Sequence, residues 1–198
     1  MGINFEYQDG QTPLDEEEKE GLLITTITTR AELDEFEQLN IQKAIEWTLT
    51  RKFKAEKLLT ENFIKELHQK MFGDTWAWAG KFRNSNKNLG VNSFMVGVEL
   101  KNLLDDVKFW INHNIYQPDE IAIRFKHRIV SIHCFSNGNG RHSRLMADVI
   151  IEHLFNQPVY SWGNTNLINA GEARKQYLST VKQADKGDIY PLIQFARS

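Results

Sequence analysis

Residues 133–144, HCFSNGNGRHSR, constrain the fold more than any other stretch, because they place a glycine-rich turn between two apolar helical patterns. Apolar residues recur at helical spacing over 121–132, before the turn, and again over 145–154, after it. Gly138 and Gly140 allow backbone angles that direct several N–H groups to one side. We therefore expect two buried helices that meet at a tight turn lined by N–H donors.

The same turn has the composition of an anion site. A helix that begins near 139–141 adds unpaired N–H groups and the positive end of its dipole. Arg141 and Arg144 are three residues apart, so both lie on the first turn of that helix. Two guanidinium groups beside N–H donors suit a polyphosphate better than a single carboxylate. His133, at the other end of the turn, can accept a proton near neutral pH, which indicates phosphoryl or nucleotidyl transfer.

Each of these residues also has an ordinary interpretation. A histidine at a helix end is usually a cap, Gly-Asn-Gly is usually a turn, and an arginine pair is usually solvated. Their joint spacing favours the phosphate site. Cys134 lies beside the histidine, but nothing else in the sequence supports a cysteine nucleophile. Histidine and arginine also serve in ribonucleases, but the basic, aromatic groove expected for RNA is missing from the sequence.

The remaining pattern is mainly helical. Thr29 and Glu32 form a capping box that opens a helix ending near Leu49, and Thr60 and Gly73 bound a second helix. Further helices are predicted over about 100–111, 118–132, 139–154, 169–184 (capped by Asn169) and 189–196. The acidic run 15–18 is expected to be a solvated face.

The segment 82–97, which we call the flap segment, departs from this pattern. It is rich in asparagine, glycine and aromatic residues, with turn residues near 86–90. These features predict a short β-hairpin. The expected fold is therefore all-α with one small β-hairpin flap.

The composition of the chain limits which partners it can bind and which cellular compartment suits it. The chain has 198 residues and a net charge of −2, so no global positive field would hold nucleic acid or an anionic membrane. One cysteine cannot form an internal disulfide, which fits a cytoplasmic protein. The acidic N-terminal stretch has no apolar core, and no apolar run approaches membrane-helix length, so we expect neither a signal peptide nor a membrane span.

The turn resembles the motif of the Fic/Doc (Fido) family, His-Pro-Phe-x-[Asp/Glu]-Gly-Asn-Gly-Arg-x-x-Arg. WAGKFR at 78–83 is similar to the family segment that leads into its flap, and ADKGDIYPLIQFA at 184–196 is similar to its C-terminal helices. The likeness covers about 55–198, the expected Fido domain, and leaves 1–54 as an N-terminal arm and helix, for which we expect a regulatory function. The whole chain also resembles the bacterial branch called mobile mystery protein B.

The resemblance implies a protein adenylyltransferase that moves AMP from ATP to a Ser, Thr or Tyr hydroxyl of a target protein. His133 would be the general base. The residues implied to bind ATP and its phosphates are Phe135, Gly138, Asn139, Gly140, Arg141 and Arg144. Phe135 is also expected to pack inward and anchor the loop. Doc-type kinases of the family have lysine at the position of Gly140, so glycine favours adenylylation over phosphorylation.

The family pattern also implies a metal and a docking surface. Mg²⁺ would be held at position 137, where Asn137 replaces the family's acidic residue and supplies an oxygen without a charge. Cys134 replaces the family's proline. The flap, with Val91, Phe94 and Val96, would hold the target segment as an added strand.

Many relatives are restrained by a helix whose glutamate pairs with the second motif arginine. No segment matches that helix cleanly, and Glu37 on the Thr29 helix is our candidate for pairing with Arg144. Glu20 is the next candidate, and a separate antitoxin chain is the third. Because Asn137 weakens the metal site, the alternative function is a nucleotide-binding regulatory Fic protein with weak or no transfer.

Overall fold

The structure is a computed structural model that describes residues 13–164 and 171–198. In these two ranges the chain forms nine α-helices: α1 (Glu16–Glu20), α2 (Arg30–Leu49), α3 (Ala55–Leu58), α4 (Glu61–Phe72), α5 (Val96–Asn112), α6 (Pro118–Ile132), α7 (Asn139–Phe155), α8 (Glu172–Asp185) and α9 (Tyr190–Arg197). Short 3₁₀ turns lie at Ser93–Met95 and Trp162–Asn164. The prediction of an all-α fold is confirmed.

Local sequence chemistry explains where the first long helices begin. Thr29 Oγ1 accepts the N–H of Glu32 at 3.2 Å, and the Glu32 carboxylate accepts the N–H of Thr29 at 2.9 Å, which completes the predicted capping box of α2. Thr60 accepts the N–H of Phe63 in the same way and starts α4. The predicted Asn169 cap lies outside the described residues, and α8 begins at Glu172.

Two central helices carry the site. Helices α6 and α7 pack closely on each other, α5 packs on α6, and the pair α8 and α9 reaches α6 through α9. On the other side α2 packs against α4, which in turn contacts α7. Their facing sides are fully buried apolar residues such as Phe63, Phe72 and Phe125. The turn at 133–138 therefore joins two helices that the core holds firmly.

The predicted β-hairpin flap is wrong. Within the described ranges the structure has one isolated antiparallel bridge, between Leu22 and Trp76, and the flap segment contains bends and a 3₁₀ turn. Its backbone carbonyls at Ser85 and Val91 accept from the Arg83 guanidinium instead of from a facing strand. Asn86 accepts the N–H of Ser93 at 2.8 Å, so the segment folds on its own side chains.

The acidic run near the N-terminus is also not simply a solvated face. Asp15 caps α1, and Glu18 is buried against the flap segment, where its carboxylate meets Lys87 Nζ at 2.5 Å. Asp15 accepts from the same ammonium at 3.1 Å and from the Ser85 hydroxyl at 3.2 Å. The sequence could not show this, because Lys87 is about seventy residues away. Helix α1 is thus attached to the flap segment by buried charge.

In the described part of the chain, no helix combines the length and the apolar composition needed to cross a bilayer.

Replacing Lys87 with Met should release α1 from the flap segment. The Lys87 and Glu18 side chains are only 6% and 9% exposed, and removing one member of a buried pair leaves an uncompensated charge that costs roughly 3–5 kcal/mol. A five-residue helix cannot sustain that cost, so it should detach while the core stays folded. We expect amide exchange and proteolysis over 16–23 to become at least ~10-fold faster.

Lys101→Met is the matched control. Its pair with Asp105 is 76% and 51% exposed, so its loss should change neither measurement. Unchanged exchange over 16–23 in Lys87→Met would contradict the proposed attachment.

Candidate active site

Two residues in left-handed conformation shape the turn between α6 and α7. His133 ends α6 with φ 59° and ψ 62°, and Gly138 precedes α7 with φ 76° and ψ −2°. A Cβ atom at Gly138 would lie 2.5 Å from the Phe72 ring, so both the backbone angle and the space require glycine there. Gly140 differs, because a Cβ placed on it would meet no atom within 4 Å.

Asn139 fastens the turn from inside. Its Oδ1 accepts the N–H of Phe135 at 2.9 Å, and its Nδ2 donates to the Phe135 carbonyl at 2.8 Å. The side chain is buried, and both its oxygen and its nitrogen bind the Phe135 backbone. The structure thus commits the Asn139 amide to the loop, and leaves the N–H groups of the first α7 turn as the donors for an anion. Phe135 is fully buried beneath them.

Arg83 is a residue that the sequence analysis did not single out. Its Nε donates to the His133 carbonyl at 2.6 Å, and its other nitrogens donate to the carbonyls of Ser85, Val91 and Ile132. Its backbone N–H donates to the Cys134 carbonyl at 3.0 Å. This buried guanidinium therefore joins the flap segment to the end of α6. Its place in WAGKFR, next to the flap, was the only sequence signal for it.

His68 is a second residue that the sequence analysis missed. It lies fully buried on α4, between the apolar positions of the stripe that predicted this helix. Its ring is stacked on Phe135 with 3.7 Å between ring centroids. A polar side chain inside an apolar stripe, four residues after Ile64, was the available signal.

The two motif arginines face different neighbours. Arg141 Nη1 lies 2.5 Å from Glu37 Oε2, and its guanidinium is 4.8 Å from the centroid of the Phe72 ring. Arg144 lies one turn further along α7, with its guanidinium 5.5 Å from the centroid of the Tyr177 ring of α8. The structure brings both arginines to one end of α7, but only Arg141 borders α2.

The predicted pairing of Glu37 with Arg144 is therefore wrong in its partner. Glu37 is buried, and its carboxylate accepts from Trp76 Nε1 at 2.6 Å and from Arg141. The physical reason is the packing of α2 on α4, which sets Glu37 beside the first turn of α7, where Arg141 emerges. Glu37 does contact a motif arginine, but spacing alone could not tell which one, and the inhibitory function of α2 stays a prediction.

His133 is largely buried at the lip of the turn. Burial, together with the positive charges of Arg83 and Lys87, lowers the pKa of His133 to about 4, so the imidazole is neutral near pH 7. Gly90 of the flap segment packs directly behind it, since a Cβ there would lie 2.5 Å from the His133 Cβ. Burial raises the pKa of the neighbouring Cys134 thiol to about 12, which makes it unreactive.

The flap residues are not equivalent. Phe94 is 76% exposed and Val91 is half-buried, with its N–H donating to the Ile132 carbonyl at 3.3 Å. Val96 is buried at the start of α5, so it cannot contact a target segment. The assignment of Val96 to a docking strand is wrong, because this stretch is helix.

The protein donors for a divalent cation are few. Among residues 13–164 and 171–198, no group of three or more His, Cys, Asp or Glu side chains could hold a metal. Asn137 Oδ1 accepts the N–H of Gly138 at 2.6 Å, so the oxygen that the family pattern assigns to Mg²⁺ is already bonded to the loop. A single neutral oxygen does not fit a resident Mg²⁺ site, which prefers carboxylates and waters.

Stability should fall at mildly acidic pH because three buried histidines are neutral in the folded chain. Burial lowers the pKa of His133 to about 4 and of His142 to about 3, and holds the pKa of His68 well below its usual value. The unfolded chain takes up these protons below about pH 6.5 and the folded chain does not, so stability is lost as the pH falls from about 6.5 towards 4. Each histidine contributes up to about 1.4 kcal/mol per pH unit in that window.

Urea unfolding between about pH 7.5 and pH 4.5 measures this slope. His142→Gln should make the slope shallower, whereas His113→Gln, at an exposed position, should not. A slope that is the same in all three proteins would contradict the assignment.

The Fic/DOC family model matches residues 58–151, which include α4, the flap segment, the turn and most of α7. Protein adenylyltransferase Fic of Aedes aegypti is 28% identical over 141 residues, which cover 69% of this chain and 27% of that protein. The namesake from Nematostella vectensis is 25% identical over 167 residues, covering 82% of this chain and 37% of that protein. The chain thus spans less than half the length of these curated relatives.

Solved structures share the fold. The BepC protein of Bartonella tribocorum, a VirB-translocated effector solved with bound AMPPNP, has a TM-score of 0.69 at 14% identity, covering 92% of this chain and 97% of that one. Fic-1 of C. elegans has a TM-score of 0.66 at 22% identity, covering 90% of this chain and 50% of that one. The motif at 133–144, the helical fold and the family match agree: over residues 58–151 the chain is similar to the Fic/DOC family.

Proposed function

We propose that this protein transfers AMP from ATP to a hydroxyl group of a target protein. The observation that carries the proposal is the turn itself, which sets a neutral buried histidine at one lip and the N–H groups and arginines of α7 at the other. The curated relatives are named protein adenylyltransferases, and a solved neighbour holds AMPPNP. The hydroxyl that accepts AMP would belong to a Ser, Thr or Tyr side chain of the target.

The phosphates would lie over the first turn of α7. Its N–H groups and its dipole favour negative charge, and the open space above Gly140 lets a phosphate approach the backbone closely. Arg141 and Arg144 would bind the outer phosphates with planar, charged donors. Asn139 and Phe135 would act indirectly, because their bonds and burial hold the loop in the shape that presents these groups.

His133 would be the general base. The hydroxyl of the target would give its proton to the imidazole as its oxygen bonds to the α-phosphorus, and the bond to the β-phosphate would break to release pyrophosphate. The pKa of about 4 belongs to the site without nucleotide, where burial and, after it, the charges of Arg83 and Lys87 oppose protonation. A bound polyphosphate would offset those cations and raise the pKa towards the value that proton transfer needs.

The residues of the loop would not hold Mg²⁺ on their own, and an ion bound with ATP would supply positive charge to the phosphates. Asn137 remains the position from which the protein could add one oxygen. The alternative function, a nucleotide-binding regulator with weak or no transfer, is favoured by this poor donor set. We also propose that the chain falls in the mobile mystery protein B branch, and that an arm and helix at 1–54 precede a Fido domain at 55–198. The protein would be cytoplasmic, and a separate antitoxin chain is a second means of restraint.

Labelled ATP separates the functions. The protein is incubated with a cell lysate and with ATP labelled at either the α or the γ phosphate. Label transferred to protein from the α position only is expected for adenylylation. His133→Ala should reduce that transfer by roughly 10²–10⁴-fold and leave ATP binding within a few fold.

Transfer of the γ label would identify a kinase and overturn the proposal. ATP binding without transfer of either label would favour the regulator. Near-full transfer by His133→Ala would exclude this histidine as the base.

Glu37 is proposed to restrain the enzyme through Arg141. Trp76 Nε1 donates to the buried Glu37 carboxylate, and this carboxylate pairs with the Arg141 guanidinium that the phosphates would otherwise bind. Glu37→Gln keeps an acceptor for Trp76 and removes the charge, so Arg141 becomes available. We expect ATP affinity and AMP transfer to rise by roughly threefold or more.

Glu35→Gln, an exposed neighbour on α2, is the control and should change neither quantity. Lower transfer in Glu37→Gln, with the stability unchanged, would show that the ion pair supports activity rather than restrains it.

A further inference from the structure

His68 is a buried histidine for which the proposed chemistry has no use. It lies on α4, and its ring is stacked on the Phe135 ring with an angle of 20° between the two ring planes. The imidazole is fully enclosed, so it cannot touch a nucleotide or a target. Any effect that it has on the site must pass through the groups that it bonds.

Both ring nitrogens are bonded to backbone. The Gly80 N–H donates to His68 Nδ1 at 3.0 Å, and Nε2 lies 3.0 Å from the carbonyl oxygen of Asn137. A backbone N–H only donates and a carbonyl only accepts, so the ring must be neutral with its hydrogen on Nε2. One side chain thus ties the loop to the segment that leads into the flap.

The bond to Asn137 also fixes the direction of a peptide unit. The Asn137–Gly138 peptide is trans, so its C=O and N–H point in opposite directions. With the carbonyl directed into the core at His68, the Gly138 N–H is directed outward, where Asn137 Oδ1 accepts it at 2.6 Å. If this peptide turned over, a carbonyl would replace an N–H beside the anion site and repel phosphate.

We propose that His68 is a positioning residue that holds the Asn137–Gly138 peptide in the orientation that suits an anion. Its bond to Gly80 keeps the ring in the required tautomer, and its stacking on Phe135 keeps the ring in place. The effect on ATP rests on the function proposed above, whereas the orientation of the peptide does not.

Two substitutions at one position test the proposal. His68→Phe keeps an aromatic ring on Phe135 and removes both hydrogen bonds, and His68→Gln keeps one donor and one acceptor. Val107→Ala, in the core of α5, is the control for lost stability without a change at the loop. Hydrogen exchange at the Gly80 and Gly138 amides measures how well these amides are protected by their hydrogen bonds. Equilibrium dialysis measures the affinity for ATP.

In His68→Phe we expect exchange at both amides to be at least ~10-fold faster and ATP binding to be at least ~10-fold weaker. His68→Gln should recover most of both effects, to within about threefold of the wild type. Val107→Ala should lower the melting temperature without changing either measurement. A rescue by glutamine would not be expected if the residue merely filled space.

Wild-type exchange and wild-type ATP binding in His68→Phe would overturn the proposal. If the unaltered protein fails to bind ATP, the proposed function fails, and hydrogen exchange alone tests the positioning by His68. Faster exchange at the Gly80 and Gly138 amides of His68→Phe would support it, and unchanged exchange would reject it. If both variants at 68 unfold, ¹⁵N spectra of the native histidines decide, since a hydrogen on Nδ1 of His68 would overturn it.

Discussion

The rest of the site depends on the hydrogen bonds that the Arg83 guanidinium donates. It donates to four backbone carbonyls, namely those of Ile132 and His133 at the end of α6 and those of Ser85 and Val91 in the flap segment. A cation at a helix C-terminus also offsets the negative end of the dipole. Because these carbonyls share one planar group, His133 and the flap segment cannot move independently.

Charge around the turn is balanced by contacts from distant parts of the chain. Glu37 on α2 offsets Arg141, and Glu18 on α1 offsets Lys87. Both carboxylates are buried, so each pair is screened from solvent and salt more than a surface pair would be. The N-terminal helices therefore contribute negative charge to a site in which Arg83, Lys87 and Arg141 are cationic.

The sequence predicted the helices well because their information is local. Thr29 and Thr60 each accept an N–H three residues further along, and Pro118 in the first turn of α6 lacks an N–H that would go unpaired there. The prediction of a β-hairpin failed because the backbone carbonyls of the flap segment bind Arg83 and its polar side chains bind α1 and the cap of α1. These groups therefore do not pair two strands. The motif located the loop, but His68 and Arg83 act across some fifty to seventy residues, where no periodicity records a contact.

Gly138 and Gly140 differ in the space around them and in their backbone conformation. Gly138 is enclosed by Phe72 and held at a positive φ, so the scaffold determines its identity. Gly140 faces empty space from an ordinary helical position. A Cβ added at 140 would extend from the protein without touching it. Folding therefore constrains the residue at 138 but not the one at 140, so the residue beside the first N–H groups of α7 can change while the scaffold stays the same.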